Sequence, residues 1–266
     1  MNVMLKAVIF DLDDTLLWDH KSVSEAFKST CEKVVEKYNI NPDPLEERVR
    51  KHAEELYPTF DTYDFVRNIG IGTFEGMWGE FQDEGEDFKK LRETVPEYRK
   101  QAWMNGLQDL DIEDEELAET LAKTFPEERK KHIYLYDETL EILDTLKGKY
   151  KLLMLTNGSP HLQHTKLSLS PELAPYFDHI VISGDFGQGK PSADIFNYAL
   201  SLLEVEKDEV IMVGDNPLTD ILGASRIGID SIWIIHHDRE LTEVTPTYEV
   251  SRLREIMPIV KSLSEE

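Results

Sequence analysis

Cysteine occurs once in the 266 residues, at Cys31, so no intramolecular disulfide can form, and a reducing, cytoplasmic compartment is the expected home. Long apolar runs are missing too. No segment approaches the length that spans a bilayer, and no membrane role is expected. The short apolar run near the N-terminus is followed at once by acids and has no small-residue cleavage site, so no cleavable signal is expected. Positive charge is scarce: 29 lysines and arginines stand against 53 acids, a formal charge of -24. That balance disfavours nucleic-acid backbones and anionic membranes as partners. It also means that an anionic ligand must be drawn in by local positive groups, because the global field opposes it. No internal repeat or low-complexity tract interrupts the chain, and its 40% hydrophobic content is enough to bury a core.

What is present is organised around Ala7 to Leu17, AVIFDLDDTLL. The unbroken apolar run 7–10, with β-branched members, reads as a strand buried on both faces, as in the middle of a parallel sheet. Asp11 and Asp13 follow where the extended backbone ends. Both carboxylates can project from the strand's carboxyl edge toward one space. Acids so placed repel unless a cation compensates. Either a hard ion such as Mg²⁺ takes oxygen ligands there, or one acid stays ionised as a nucleophile while the other shuttles a proton. The plain alternative is a solvated turn in which Asp13-Asp14-Thr15 caps the next helix.

From Trp18 to Lys131 no strand pattern appears. Ser22 is expected to cap a helix carrying Val23, Phe27, Val34 and Tyr38, and Asp43-Pro44 to open another with Asp43 accepting an orphan amide. Helical patterns recur at 86–105 and 113–124, the latter ending before Pro126. An α/β rhythm resumes at Tyr134. Asp137 is expected to cap a helix over 138–146, strands are expected at 151–155, 179–183, 210–213 and 231–235, and a short extended piece at 248–250. Helices are expected at 191–203, 217–227 and 251–262. This alternation implies an α/β fold, a doubly wound parallel sheet with ligands at the carboxyl ends of its strands. The expected core covers 1–17 and 132–266, split after its first strand by an all-helical insertion over 18–131.

Further candidates sit at strand ends. Thr156-Asn157-Gly158-Ser159 offers a hydroxyl and a glycine-containing turn, a cradle for phosphate oxygens or a cap for the helix starting at His161. Lys190, between Gly189 and Pro191, carries an ammonium anchored on a fixed backbone that can neutralise a transferring group, although a lone lysine is ordinarily solvated. In Gly214-Asp215-Asn216-Pro217-Leu218-Thr219-Asp220, Gly214 lets the backbone turn close to a ligand. Asp215 lies beside Asp11 if the two strands are neighbours, and Asp220, one turn into the helix, can reach back to order a metal-bound water or Lys190. A helix N-terminus also favours an acid, which accounts for Asp220 better than for Asp215. His161, His164 and His236-His237 lack partners at zinc spacing, so packing or surface roles are expected; Trp18, at the entrance to the helical insertion, could touch substrate, with linker packing the first expectation. Arg48, Arg50, Arg67, Arg92 and Arg99 read as solvated helix faces, one of which could meet an anionic group.

Taken in order, D-L-D-D-T at 11–15, the strand-end Thr156, the Lys190-Pro191 pair and G-D-x-x-x-x-D at 214–220 resemble the four motifs of the haloacid dehalogenase-like hydrolase superfamily. The likeness covers essentially the whole chain. It implies a Rossmann-like core with an inserted helical cap domain of the C1 type, which closes over the core's site. It also implies a Mg²⁺-dependent phosphatase acting on a small phosphorylated metabolite through an aspartyl-phosphate on Asp11, with Asp13 as general acid and base. By the same resemblance Mg²⁺ is held by the Asp11 carboxylate, the Asp13 main-chain carbonyl and Asp215. Thr156, the Asn157 amide and Lys190 bind phosphate, and Asp220 lends outer support. The haloacid dehalogenases themselves lack an acid where Asp13 stands and need no Mg²⁺. Phosphoglucomutase-like members carry a His and a Trp in the cap entry, which residues 22–27 do not offer, so hydrolysis is expected over transfer. A non-catalytic metal- or ligand-binding regulatory protein and a phosphotransferase or mutase are the alternatives. Monomer is the default expectation.

Overall fold

The structure, a computed structural model, describes residues 4–39, 41–236 and 244–265, so His237 lies outside the described residues. The chain forms two compact units, Met1–Trp18 with Leu135–Glu266, and Asp19–Tyr134.

The first unit is built on six parallel strands: β1 (Ala7–Phe10), β2 (Lys151–Thr156), β3 (His179–Ile182), β4 (Val210–Gly214), β5 (Asp230–Ile234) and β6 (Tyr248–Val250). Their order across the sheet is β3-β2-β1-β4-β5-β6. From the central β1 the chain first winds toward β3 and then toward β6, so the winding reverses between β1 and β4. At such a reversal the connections leave on opposite sides and open a crevice at the carboxyl ends of the two strands. Register sets what faces that crevice: Phe10 lies opposite Val213, with Ala7 opposite Val210 and Lys151.

The second unit is helical: α1 (Asp19–Tyr38), α2 (Asp43–Leu56), α3 (Tyr63–Ile69), α4 (Thr73–Gly76), α5 (Glu86–Gln108) and α6 (Glu115–Lys131). Several local expectations fail here for packing reasons. Ser22 does not cap α1, which starts earlier, at Asp19; Ser22 is buried within it, and its hydroxyl accepts the Tyr134 N–H. Asp43 is the first residue of α2 rather than its cap, and its own N–H donates to Asn41 Oδ1. Helix α6 continues through Pro126 instead of stopping before it. A proline inside a helix costs about 3 kcal/mol. Phe125, fully buried with its ring 4.4 Å from that of Phe27, contributes a similar amount, about 1.5–3 kcal/mol, and Leu121 is buried alongside it. Of the five arginines read as solvated faces, Arg48 and Arg67 are exposed as expected, but the other three are not solvated faces. Arg92 donates to Phe81 O, Arg99 to Gly76 O and Gly79 O, and Arg50 pairs with Glu46 over the Phe27 ring. Carbonyls of the irregular 76–81 segment lack helical partners, and the guanidiniums satisfy them.

In the first unit the sheet is covered by α7 (Thr139–Leu146), α8 (Pro160–Leu169), α9 (Ser183–Phe186), α10 (Ala193–Leu203), α11 (Leu222–Ile227) and α12 (Ile256–Glu265). Asp137 does not cap α7; the chain enters it through Thr139, whose hydroxyl donates to Leu16 O. Helix α10 opens at Ala193 under a Ser192 cap rather than at Pro191, the Lys190-Pro191 peptide being cis. A π-helical turn, Pro217–Ile221, precedes α11. Ala7, Ile9, Leu153, Leu155 and Met212 pack against Ile195, Phe196, Ala199 and Leu203 of α10. The alternate residues Val8, Phe10, Leu152, Met154, Ile211 and Val213 are buried as well. Burial on both faces explains why these strands read as continuous apolar runs. Among the described residues no helix is long and apolar enough to cross a membrane.

Candidate active site

Asp11 and Asp215 are the residues that follow β1 and β4. Because those strands pair in register, and the Asp11 N–H donates to Val213 O at 3.0 Å, the two acids issue side by side into the crevice. Asp220 joins them: carboxylate oxygens of Asp11, Asp215 and Asp220 lie within 4.8 Å of one another, and all three residues are buried. Lys190 Nζ reaches Asp11 Oδ1 at 2.6 Å and Asp220 Oδ1 at 2.7 Å. Lys190 thus meets two of the three carboxylates, and burying acids this close together is costly. The strain is visible at Asp11. Burial pushes its carboxyl up to about 7, with Lys190 opposing and Asp220 adding to the rise. Burial also works against the Lys190 charge, but the attraction of Asp11 and Asp220 outweighs it and holds that ammonium above the ordinary lysine value. Three clustered, buried carboxylates are hard oxygen donors that suit a divalent cation such as Mg²⁺.

Close backbone approaches hold this cluster. At Gly214 the Asp220 carboxylate occupies the space a Cβ would take. The Asn216 N–H then holds Asp220 Oδ2 at 3.1 Å, and Trp233 Nε1 donates to Asp215 O at 2.8 Å. Asp220 thus lies beside Asp11 and Asp215 and, as expected, reaches back to Lys190. Lys190, 5% exposed, is no solvated surface lysine. Its N–H donates to Asn157 Oδ1 at 2.8 Å and its carbonyl accepts from Asn157 Nδ2 at 3.0 Å. The sequence pointed to Asn157 only for its main-chain amide; its side chain anchors the lysine.

Asp13 lies outside the acid cluster. Its Oδ2 accepts from Lys166 Nζ at 2.8 Å and from Gln163 Nε2 at 3.1 Å. The repulsion expected between Asp11 and Asp13 is therefore met by a separate lysine for each. Since α1 begins at Asp19, the 13–15 turn does not cap it. Thr156, at the end of β2, accepts from Gln163 Nε2 at 2.6 Å, while the capping role in this turn falls to Ser159, which receives the Leu162 N–H at the start of α8. Gln163 and Lys166 escaped the sequence reading. Their only signal is two polar residues three apart on the helix that follows Thr156. No histidine enters the metal-capable group found among the described residues, and Trp18 and His236 stack on either side of Tyr136.

The sequence profile of the haloacid dehalogenase-like hydrolases matches residues 5–228. Phosphoserine phosphatase of Thermus thermophilus is 31% identical over 253 residues, 95% of this chain and 98% of that one. N-acylneuraminate-9-phosphatase of Mus musculus is 30% identical over 183 residues, 67% of this chain and 73% of its own. Among solved structures, HAD-hydrolase YfnB of Bacillus subtilis bound to magnesium superposes with a TM-score of 0.66 at 21% identity, covering 97% of this chain and 99% of that one. L-2-haloacid dehalogenase from Xanthobacter autotrophicus gives 0.60 at 20% identity, over 97% and 99%. At such identities the structural likeness speaks for the fold alone.

Proposed function

The chain belongs to the haloacid dehalogenase-like hydrolase family, and on that premise we propose that it is a Mg²⁺-dependent phosphatase hydrolysing a small phosphorylated metabolite through an aspartyl-phosphate on Asp11. Relatives named as phosphatases support a hydrolase of phosphate monoesters. The observation that carries the reading is Asp11 bonded to Lys190 beside Asp215 and Asp220 at the mouth between β1 and β4.

In the first half-reaction the ionised Asp11 carboxylate attacks phosphorus in line, and the ester P–O bond breaks as the Asp11 O–P bond forms. Asp13 gives its proton to the departing oxygen, so the alcohol leaves neutral. In the second half-reaction Asp13, now ionised, takes a proton from the water that attacks the aspartyl-phosphate, which frees phosphate and restores Asp11. Lys190, the Thr156 hydroxyl and the Asn157 N–H receive the phosphoryl oxygens. Asp11, Asp215 and the Asp13 main-chain carbonyl would hold Mg²⁺, with Asp220 close by. When bound, the ion supplies the positive charge that the buried acids and an incoming phosphate both require. The acid at Asp13 favours this chemistry over dehalogenation, which has no leaving group that needs a proton. A buried, unpaired Cys31 agrees with a reducing cytoplasmic setting, and a monomer remains the simplest assembly.

Hydrolysis of p-nitrophenyl phosphate is expected with Mg²⁺ and is expected to vanish after EDTA treatment. Asp11→Asn should lower kcat by about 10³-fold or more while the thermal transition stays in place. Substantial turnover in that variant would remove Asp11 as the nucleophile. A panel of phosphate monoesters led by O-phosphoserine that yields no hydrolysis at all would overturn the reading.

A further inference from the structure

One face of α8 is buried yet polar. Gln163 is 0% and Lys166 1% exposed, and at a spacing of three they share a side of the helix. Both donate to the same oxygen, Asp13 Oδ2, at 3.1 and 2.8 Å. Gln163 Nε2 also donates to Thr156 Oγ1 at 2.6 Å and to Asn157 O at 3.0 Å. The orientation of that amide follows from chemistry: turned over, its oxygen would face a carboxylate and a carbonyl, neither of which can donate. Gln163 Oε1 and Asp13 Oδ1 are both buried with no hydrogen-bond partner among the described residues. A leucine or methionine at either helix position would be cheaper to bury than a lysine and an amide with an orphaned oxygen. Stability alone therefore does not account for the pair.

We infer that Gln163 and Lys166 are positioning residues that clamp Asp13 by Oδ2, so that Oδ1 is the oxygen presented for proton transfer, and that orient the Thr156 hydroxyl as a donor. The second effect follows because a hydroxyl that accepts from Gln163 must direct its own hydrogen elsewhere. Its remaining contact as a donor, to Asn157 O, is long at 3.4 Å, and a phosphoryl oxygen can replace it. The first effect concerns the bond-breaking step. The proton on Asp13 Oδ1 passes to the ester oxygen as that oxygen's bond to phosphorus breaks and the Asp11 O–P bond forms. A carboxylate free to turn about its χ angles would meet that oxygen less often in line. The inference rests on the phosphatase reading and assigns roles to two residues that none of the four motifs contains.

The leaving group separates this role from simple packing. p-Nitrophenolate departs without a proton, whereas an alkoxide needs one. The test compares kcat/KM, which ends at formation of the phospho-enzyme, for p-nitrophenyl phosphate and for an alkyl phosphate that the wild type turns over, O-phosphoserine being tried first and a sugar phosphate next. Lys166→Met and Gln163→Met are each expected to depress the alkyl phosphate about 10-fold or more beyond any loss with the aryl one, a part of the 10²- to 10⁴-fold that a placed acid contributes. Equal losses on both substrates, within about twofold, in variants that melt as the wild type does, would overturn the clamp. If Lys166→Met does not fold, Gln163→Met carries the test, because it touches the same oxygen. A wild type that hydrolyses no alkyl phosphate overturns the phosphatase reading and the clamp with it, whereas a working wild type with an unchanged ratio overturns the clamp alone.

Discussion

Cys31 sits on the buried side of α1, 1% exposed, and burial first, then the neighbouring Glu46, push its thiol up to about 12 against the pull of Arg50. Since the thiolate is the reactive form, native protein at pH 8 is expected to be inert to Ellman's reagent and to give its single thiol only on unfolding. Rapid labelling of the native chain would show that this face of α1 opens. At this scale the places of Asp11, Asp13, Thr156, Lys190 and Asp215 in the chain could be read because each stands beside a recognisable strand end or helix start, while their roles remain proposals. Gln163, Lys166 and the side chain of Asn157 were not. A polar residue in a helix or turn reads as solvent-facing by default, and only the neighbours it meets show otherwise.

Helices α2 and α5 approach closely at Gly106. A Cβ built there would stand 2.5 Å from Val49 Cγ2 and 3.2 Å from the Val49 main-chain nitrogen. Alanine in place of glycine adds about 1 kcal/mol of helix propensity, but forcing a methyl against a stiff β-branched side chain and its backbone costs about 1–3 kcal/mol. Gly106→Ala is therefore expected to lower stability by about 1 kcal/mol in urea unfolding. A more stable variant would mean that the helices have room to part. Strands were the legible elements, because apolar runs buried on both faces leave a continuous signature. Helix ends were less so: Pro126 in α6 and Ser22 in α1 show burial overriding local stop and start signals, and Asp137 shows a capping residue that is not used.

The whole chain carries a charge of -24, while the one buried lysine that faces Asp11 acts only at short range. If the molecule takes phosphate esters, its overall field repels them until salt intervenes. Raising NaCl from about 0.01 to 0.15 M shortens the screening length from about 30 to 8 Å. For p-nitrophenyl phosphate, kcat/KM is expected to rise about twofold or more over that range at constant Mg²⁺. A fall would mean that local positive groups govern approach even at long range.

Fold class, the interruption after the first strand and the order of the strand-end motifs were all present in consecutive residues, because hydrophobic period and turn chemistry are local properties. Asp220 was expected to reach back toward Lys190, and it does; the anchoring of Lys190 by Asn157 and the gripping of Asp13 by Lys166 were not legible. The last two join residues 33 and 153 apart in the chain. Such contacts gain their strength only once the sheet has closed around them and excluded water, a condition that no short stretch of sequence contains.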